Sequence, residues 1–247
     1  LIIVIILLGI VSTISVRFIT FSTQGAVDTS ARQQRALSGV VISEQISRAL
    51  REALPTSVRS NGDCIEWIPI KAASNYLNLP TPSDATGFDA IPLPGGGTET
   101  GRVVVYGYSG DVYDPTNPNP GPISPTASMD SSGRVDFDGG QNHRFTTGSP
   151  RKRFFIVDSP RTLCQGGEFL YRYRNYGIQT TIAASLPSSM PNREVLAANL
   201  ASNSVSFEVS PPTLTRGAIV SLSFTLEDPE SGETLDVSQE VQIRNVP

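Results

Sequence analysis

Leu1-Ile2-Ile3-Val4-Ile5-Ile6-Leu7-Leu8-Gly9-Ile10-Val11 opens the chain without one charged or amide side chain. Ser12, Thr13 and Ser15 dilute the run without ending it. Ile14, Val16, Phe18, Ile19 and Phe21 keep it apolar, and Arg17 is its one charge. Wound as a helix, 21 residues rise about 30 Å, the depth of a bilayer core. A core helix of a globular protein carries a polar stripe, and residues 1–11 have none. A secretory signal carries a basic n-region and a small-residue cleavage site, and neither pattern is found around this run. The expected role is a membrane anchor, with Arg17 reaching toward headgroups or a neighbouring subunit. No initiator Met or basic leader stands before Leu1. The expectation is either a removed leader or a run lying inside a longer hydrophobic segment.

The helical pattern continues past the apolar run. Residues 22–54 contain no Pro and two Gly, Gly25 and Gly39. Ile42, Ile46, Leu50 and Leu54 recur every four residues, flanked by Ala49 and Ala53, which makes an apolar stripe along one helical face. Arg32, Arg35, Glu44, Arg48, Arg51 and Glu52 supply the polar remainder. Pro55 stops the helix, because the residue before a proline disfavours the α region. The prediction is one helix over 1–54, about 80 Å long. Residues 1–21 of it are transmembrane or buried among like helices, and residues 22–54 are amphipathic. Gly25 and Gly39 are the expected places for bending or local melting.

Beyond Pro55 the period changes to that of strands. Strands are predicted at 64–70, 102–108, 153–157, 169–174, 205–209, 219–226 and 235–243, with a short helical stretch at 193–200. Pro/Gly-rich loops are expected at 74–101 and 114–125, and a hairpin loop at 227–233. In 169–174, alternation puts Tyr171 and Tyr173 on a packed face and Arg172 and Arg174 in water. The class is α+β: a long N-terminal helix packed on an antiparallel β-sheet head, residues 55–247, with no internal repeat and no linker-bounded second domain. Cys64 and Cys164 are the chain's two cysteines. A chain sent across a membrane meets an oxidising compartment, where such a pair reads as a disulfide; two buried thiols are the alternative.

Chemistry is sparse. The net charge of -4 gives no broad attraction to nucleic acid. No nucleophile elbow, zinc-protease or phosphate-loop motif occurs, and the single histidine, His143, weakens any Ser-His or Cys-His scheme. No catalytic, cofactor-binding or metal-binding residue is assigned. Gly95-Gly96-Gly97 lacks the following helix and Lys of a phosphate cradle. Asp136-Phe137-Asp138-Gly139 lacks the later carboxylate of a calcium loop, and the acidic 227–233 stretch reads as a solvated hairpin. Arg151-Lys152-Arg153 and the Tyr171–Arg174 mixture would suit single-stranded nucleic acid, but sheet packing is the preferred reading.

The opening run resembles the hydrophobic segment that follows the prepilin-peptidase and N-methylation motif of type IV pilins. In that family Phe-Thr-Leu-(Val/Ile)-Glu comes first, which would fall before Leu1. Residues 48–59 with Cys64-Ile65-Glu66-Trp67-Ile68-Pro69-Ile70, and the stretches 196–200, 214–220 and 241–247, resemble the minor pilins of mannose-sensitive haemagglutinin pili. Those are related to the larger minor pseudopilins of type II secretion. The resemblance implies a type IV pilin-like fold and a non-catalytic subunit in the inner membrane of a Gram-negative bacterium, with a periplasmic head. It further implies later assembly into a cell-surface pilus, in an initiation or tip complex contributing to attachment. Implied partners are prepilin peptidase, the assembly machinery, and other major and minor pilins, with no nucleic acid and no cofactor. The alternatives are a type II secretion pseudopilin, or an adhesive tip module recognising a surface ligand.

Overall fold

The computed structural model describes residues 2–244, so the reading of Leu1 lies outside the described residues. The chain divides into two compact units, Leu1–Ile42 and Ser43–Pro247. The first consists of most of one helix, α1 (Ile2–Arg51, 50 residues). The helix runs unbroken through Gly25 and Gly39. Helix propensity is a weak prior, and a single glycine costs about 1 kcal/mol against many intrahelical hydrogen bonds. Hydroxyls within the helix donate back along it: Thr13 to Ile10 O (2.8 Å), Thr20 to Val16 O (2.9 Å) and Thr23 to Ile19 O (2.9 Å). Each of these hydroxyls is thereby satisfied without a neighbour.

The helix ends at Arg51, three residues short of the expected 54. The reason is a competing partner for the backbone. Leu54 N–H donates to Ile68 O (2.8 Å) and Ile70 N–H donates to Glu52 O (2.9 Å), while Leu54 takes the extended conformation that Pro55 imposes. In the second unit Ile46, Leu50 and Leu54 are buried, and Leu54 joins a cluster with Ile68, Val104, Ile123 and Val157. Ile42, the last residue of the first unit, is also buried.

The strands run in chain order as β1 (Arg59–Ser60), β2 (Cys64–Trp67), β3 (Ile70–Asn75), β4 (Gly87–Asp89) and β5 (Glu99–Val104). Next come β6 (Ile123–Met129), β7 (Arg134–Phe137), β8 (Arg153–Val157), β9 (Arg161–Gly166) and β10 (Phe169–Tyr173). The last are β11 (Arg193–Ala197), β12 (Ser206–Ser210), β13 (Ile219–Glu227) and β14 (Thr234–Gln242). They form three antiparallel sheets with orders β1-β2-β9-β10-β11, β3-β8-β5-β6-β7-β4 and β12-β13-β14. Every strand of the six-stranded sheet thus lies in sequence between β2 and β9, which pair with each other. The six-stranded sheet is an insertion into the five-stranded one. Its way out passes Pro69 and its way back passes Asp158, and these are tied together where Asp158 N–H donates to Pro69 O (2.9 Å).

Several expectations are corrected. The stretch 64–70 is two strands in two different sheets, because Pro69 has no N–H for a ladder and the chain changes sheet there. The loop 74–101 contains β4, whose Phe88 is buried at the centre of an aromatic cluster with Phe154 (5.3 Å, edge-on) and Phe145 (6.1 Å, edge-on). The loop 114–125 yields to β6 from Ile123, despite Pro125. There the β5–β6 register shifts between Arg102 and Val104, and the buried Ser124 hydroxyl accepts from Val103 N–H (2.9 Å) while donating to Pro125 O (2.6 Å). A side chain replaces a ladder bond at the bulge. The expected helix at 193–200 begins as the edge strand β11, since pairing with β10 overrides local propensity. Strand β5 ends at Val104 rather than 108, and Tyr106 takes a left-handed conformation.

The strand pairs of the C-terminal sheet come from strict alternation. Val220, Leu222, Phe224 and Leu226 of β13 are buried, whereas Ser221 and Ser223 face outward. Residues 228–233 turn the chain, with Gly232 at φ 70°.

Candidate functional site

Residues 2–21 are exposed in every side chain, and the large apolar ones from Ile2 to Val11 are 50–74% exposed. Up to Val27 the only charge is Arg17, roughly 22 Å along the axis from Ile2, close enough to the end of the apolar stretch for its guanidinium to reach polar surroundings. By length and composition this helix can cross a membrane. A surface apolar around its whole circumference is stable only in lipid or among similar helices.

In the second unit Cys64 and Cys164 stand directly opposite each other on β2 and β9, with Cα atoms 4.2 Å apart, and form a disulfide. On the same sheet face, Glu66 is 0% exposed. Its carboxylate is held from several sides. Arg59 donates to Oε2 through Nε (2.6 Å), and Tyr176 donates its hydroxyl to Oε1 (2.7 Å). Thr162, opposite Glu66 on β9, lies within 2.5 Å of the Tyr176 hydroxyl. The remaining Arg59 nitrogens donate to Thr180 O (2.7 Å) and Gln179 O (2.6 Å), and the guanidinium lies 3.6 Å over the Tyr113 ring. Tyr113 in turn donates to Ser57 O (2.8 Å). Burial, and next the Glu66 charge, push the Tyr113 and Tyr176 hydroxyls well above their ordinary range, so both remain donors at any physiological pH. One ion pair therefore ties together the segment after the helix, strand β2 and the loop after β10. Reading the sequence missed it; the available signal was a lone carboxylate inside the apolar run Cys64–Trp67.

Comparison with protein-family models, curated proteins and solved structures finds no match. The geometry alone therefore carries the functional reading.

The aromatic face of β10 differs from expectation. The buried residue is Leu170; Phe169 is exposed and Tyr171 and Tyr173 are half-buried in a ladder with ring centroids 5.8 and 6.2 Å apart. Arg172 and Arg174 are not free in water: both pair with Glu194, Arg172 at 2.6 Å, and Arg193 stacks over Tyr171 at 3.7 Å. Alternation says which side chains share a face, not which face is covered. Arg172 and Arg174 share the single carboxylate of Glu194, so their guanidiniums are held in place by it and only partly offset in charge.

Of the calcium candidates, Asp136 pairs with Arg134 (2.8 Å) and Asp138 accepts from Ser128 (3.0 Å). Among the described residues no three His, Cys, Asp or Glu side chains gather as metal ligands would.

His143 is 0% exposed, wedged edge-on between Phe137 (5.8 Å) and Phe145 (4.9 Å). Neither ring nitrogen makes a hydrogen bond of normal geometry with a described residue. Burial pushes its pKa below the ordinary 6.5, opposed in part by the Gly121 backbone and the Asp84 carboxylate. The folded protein thus excludes a proton that the unfolded chain binds. Stability is full above about pH 6.5 and falls as pH drops below it, by up to about 1.4 kcal/mol per pH unit until the folded-state value is reached. Urea unfolding between pH 7 and 5 is expected to show this loss in the native protein and a flatter profile in His143→Leu; parallel profiles would contradict it.

Proposed function

We propose that the chain is a minor pilin of the type IV class: a structural, non-catalytic subunit held in the inner membrane by residues 2–21 and later packed by the same helix into a filament. What supports this reading is one observation, that the helix is exposed throughout residues 2–21, apolar on every side through Val11 with Arg17 its one charge from there to residue 21, and buries a single stripe only from Gly39 onward. Lipid and a bundle of like helices are both apolar surroundings, so one surface serves before and after extraction from the membrane. The back-bonded threonines need no outside partner for their hydroxyls in either place. The antiparallel head with one cross-strand disulfide suits a periplasmic, oxidising location. Prepilin peptidase, assembly machinery and other pilins are the partners this role entails, with initiation or tip assembly and surface attachment as the contribution.

The test is co-sedimentation with sheared pili. The subunit is expected in the pilus fraction, and its deletion is expected to reduce piliation several-fold. Ile10→Arg, which sets a charge near the middle of residues 2–21 at about 2.5–3.5 kcal/mol on insertion scales, is expected to do the same without disturbing the head. Normal pili that form without the subunit and never contain it would refute the reading.

A further inference from the structure

A second site stands on the face of the six-stranded sheet. Arg102 of β5 lies between Thr126 of β6 and Val157 of β8, directly paired with both. Gly177 and Ile178, from the loop after β10, close the rim of a cleft of about 300 Å³ over it, and Thr100 and Ser159 add hydroxyls. Packing under the cleft is tight: a Cβ on Gly101 would sit 2.4 Å from Val157 O. Arg102 is half-buried, its Nη1 is shut off from solvent, and no described residue accepts a hydrogen bond from it. The carboxylates near the cleft have partners of their own, since Asp158 pairs with Arg161 (3.2 Å) and Glu99 with Lys71 (2.6 Å). A guanidinium nitrogen that has lost water and gained no acceptor is costly, and the surroundings of Arg102 disfavour its charge through burial alone.

We propose that the cleft over Arg102 binds a carboxylate. The planar fork of a guanidinium matches a carboxylate through two parallel hydrogen bonds. Thr126 and Thr100 are placed on the same face to hold the ligand's polar edge. Asp158 at the rim repels any anion, and a doubly charged phosphate more strongly than a singly charged carboxylate. The volume admits a group the size of an amino acid or a sugar acid. The carboxylate comes either from such a small acid or from an Asp or Glu side chain of a second copy of the chain. The proposal does not depend on the filament reading, which has its own test.

The experiment titrates the full-length chain in nonionic detergent with sodium acetate at constant ionic strength, following the Nε–Hε resonance of Arg102 by NMR, with acetamide as the neutral control. A saturable shift with acetate and none with acetamide is expected. Arg102→Gln is expected to lose the acetate-dependent rise in Tm that binding to the native state produces, and to unfold no more easily than the native protein without acetate. Thr126→Val, which keeps the guanidinium, is expected to weaken binding several-fold. No saturable shift, or an equal rise in Tm in Arg102→Gln, overturns the proposal. Sedimentation of the same samples separates the two sources. Self-association that acetate and Arg102→Gln both abolish assigns the carboxylate to a second copy. A chain that stays monomeric while still binding acetate assigns it to a small acid.

Discussion

Arg59→Ala is expected to cost about 3–5 kcal/mol of folding stability, read as a fall in the urea midpoint of the chain in nonionic detergent. The size follows from what is left behind. Glu66 is completely buried, and Arg59 is the cation paired with it, at 2.5 Å for the closer terminal nitrogen. Removing the guanidinium strands a carboxylate in the protein interior with only the hydroxyls of Tyr176 and Thr162. It also frees the carbonyls of Gln179 and Thr180 and uncovers the Tyr113 ring. Arg59→Lys restores a charge but not the fork that reaches all three groups, so an intermediate loss is expected. Removing both charges at once, in Arg59→Met with Glu66→Gln, is expected to cost less than Arg59→Ala alone, because no charge is then stranded. If the single variant loses under about 1 kcal/mol, the ion pair is not what holds the loop after β10 to the sheet.

Loss of the disulfide is expected to be of similar size. Cys64 and Cys164 are 100 residues apart in sequence, and closing a loop of that length is worth about 4–5 kcal/mol in the chain-entropy model. The enclosed loop contains the whole six-stranded sheet, since β3 to β8 all lie between the two cysteines. The bond therefore clamps the β2–β9 ladder that carries the insertion, at the end of that ladder away from Trp67, Arg161 and the hydrogen bond between Asp158 and Pro69. Cys64→Ala with Cys164→Ala, compared with the oxidised protein by urea unfolding, is expected to show the loss. Adding reductant should destabilise the native protein and leave the double variant unchanged. Equal midpoints in oxidised protein and double variant would mean that sheet pairing alone holds the insertion closed.

Much of this architecture is visible in residue order. An unbroken apolar run followed by the four-residue spacing of Ile42, Ile46 and Leu50 specifies a helix that changes from apolar all round to amphipathic, since helical period is a local property. The alternation around Val220, Leu222 and Phe224 likewise specifies a strand with one wet face. Nothing local says that Cys64–Trp67 and Ile70–Asn75 belong to different sheets, or that the 193–197 stretch pairs as an edge strand. Short, polar β4 carries no alternation to detect, and its place comes from Phe88 filling a space made by Phe145 and Phe154.

The buried polar groups divide the same way. That residues 2–21 need an apolar environment, and that the head is built of strands, follows from the order of residues alone, because hydropathy and period need no distant partner. That the Glu66–Arg59 pair is buried, that His143 is sealed among phenylalanines, and that Arg102 Nη1 finds no acceptor among the described residues were decided only by tertiary structure. Arg59 and Glu66 face each other across the short β1–β2 hairpin, but their burial comes from distant Thr162 and Tyr176, and the cost or gain of burying a charge is set by such neighbours rather than by the residue itself.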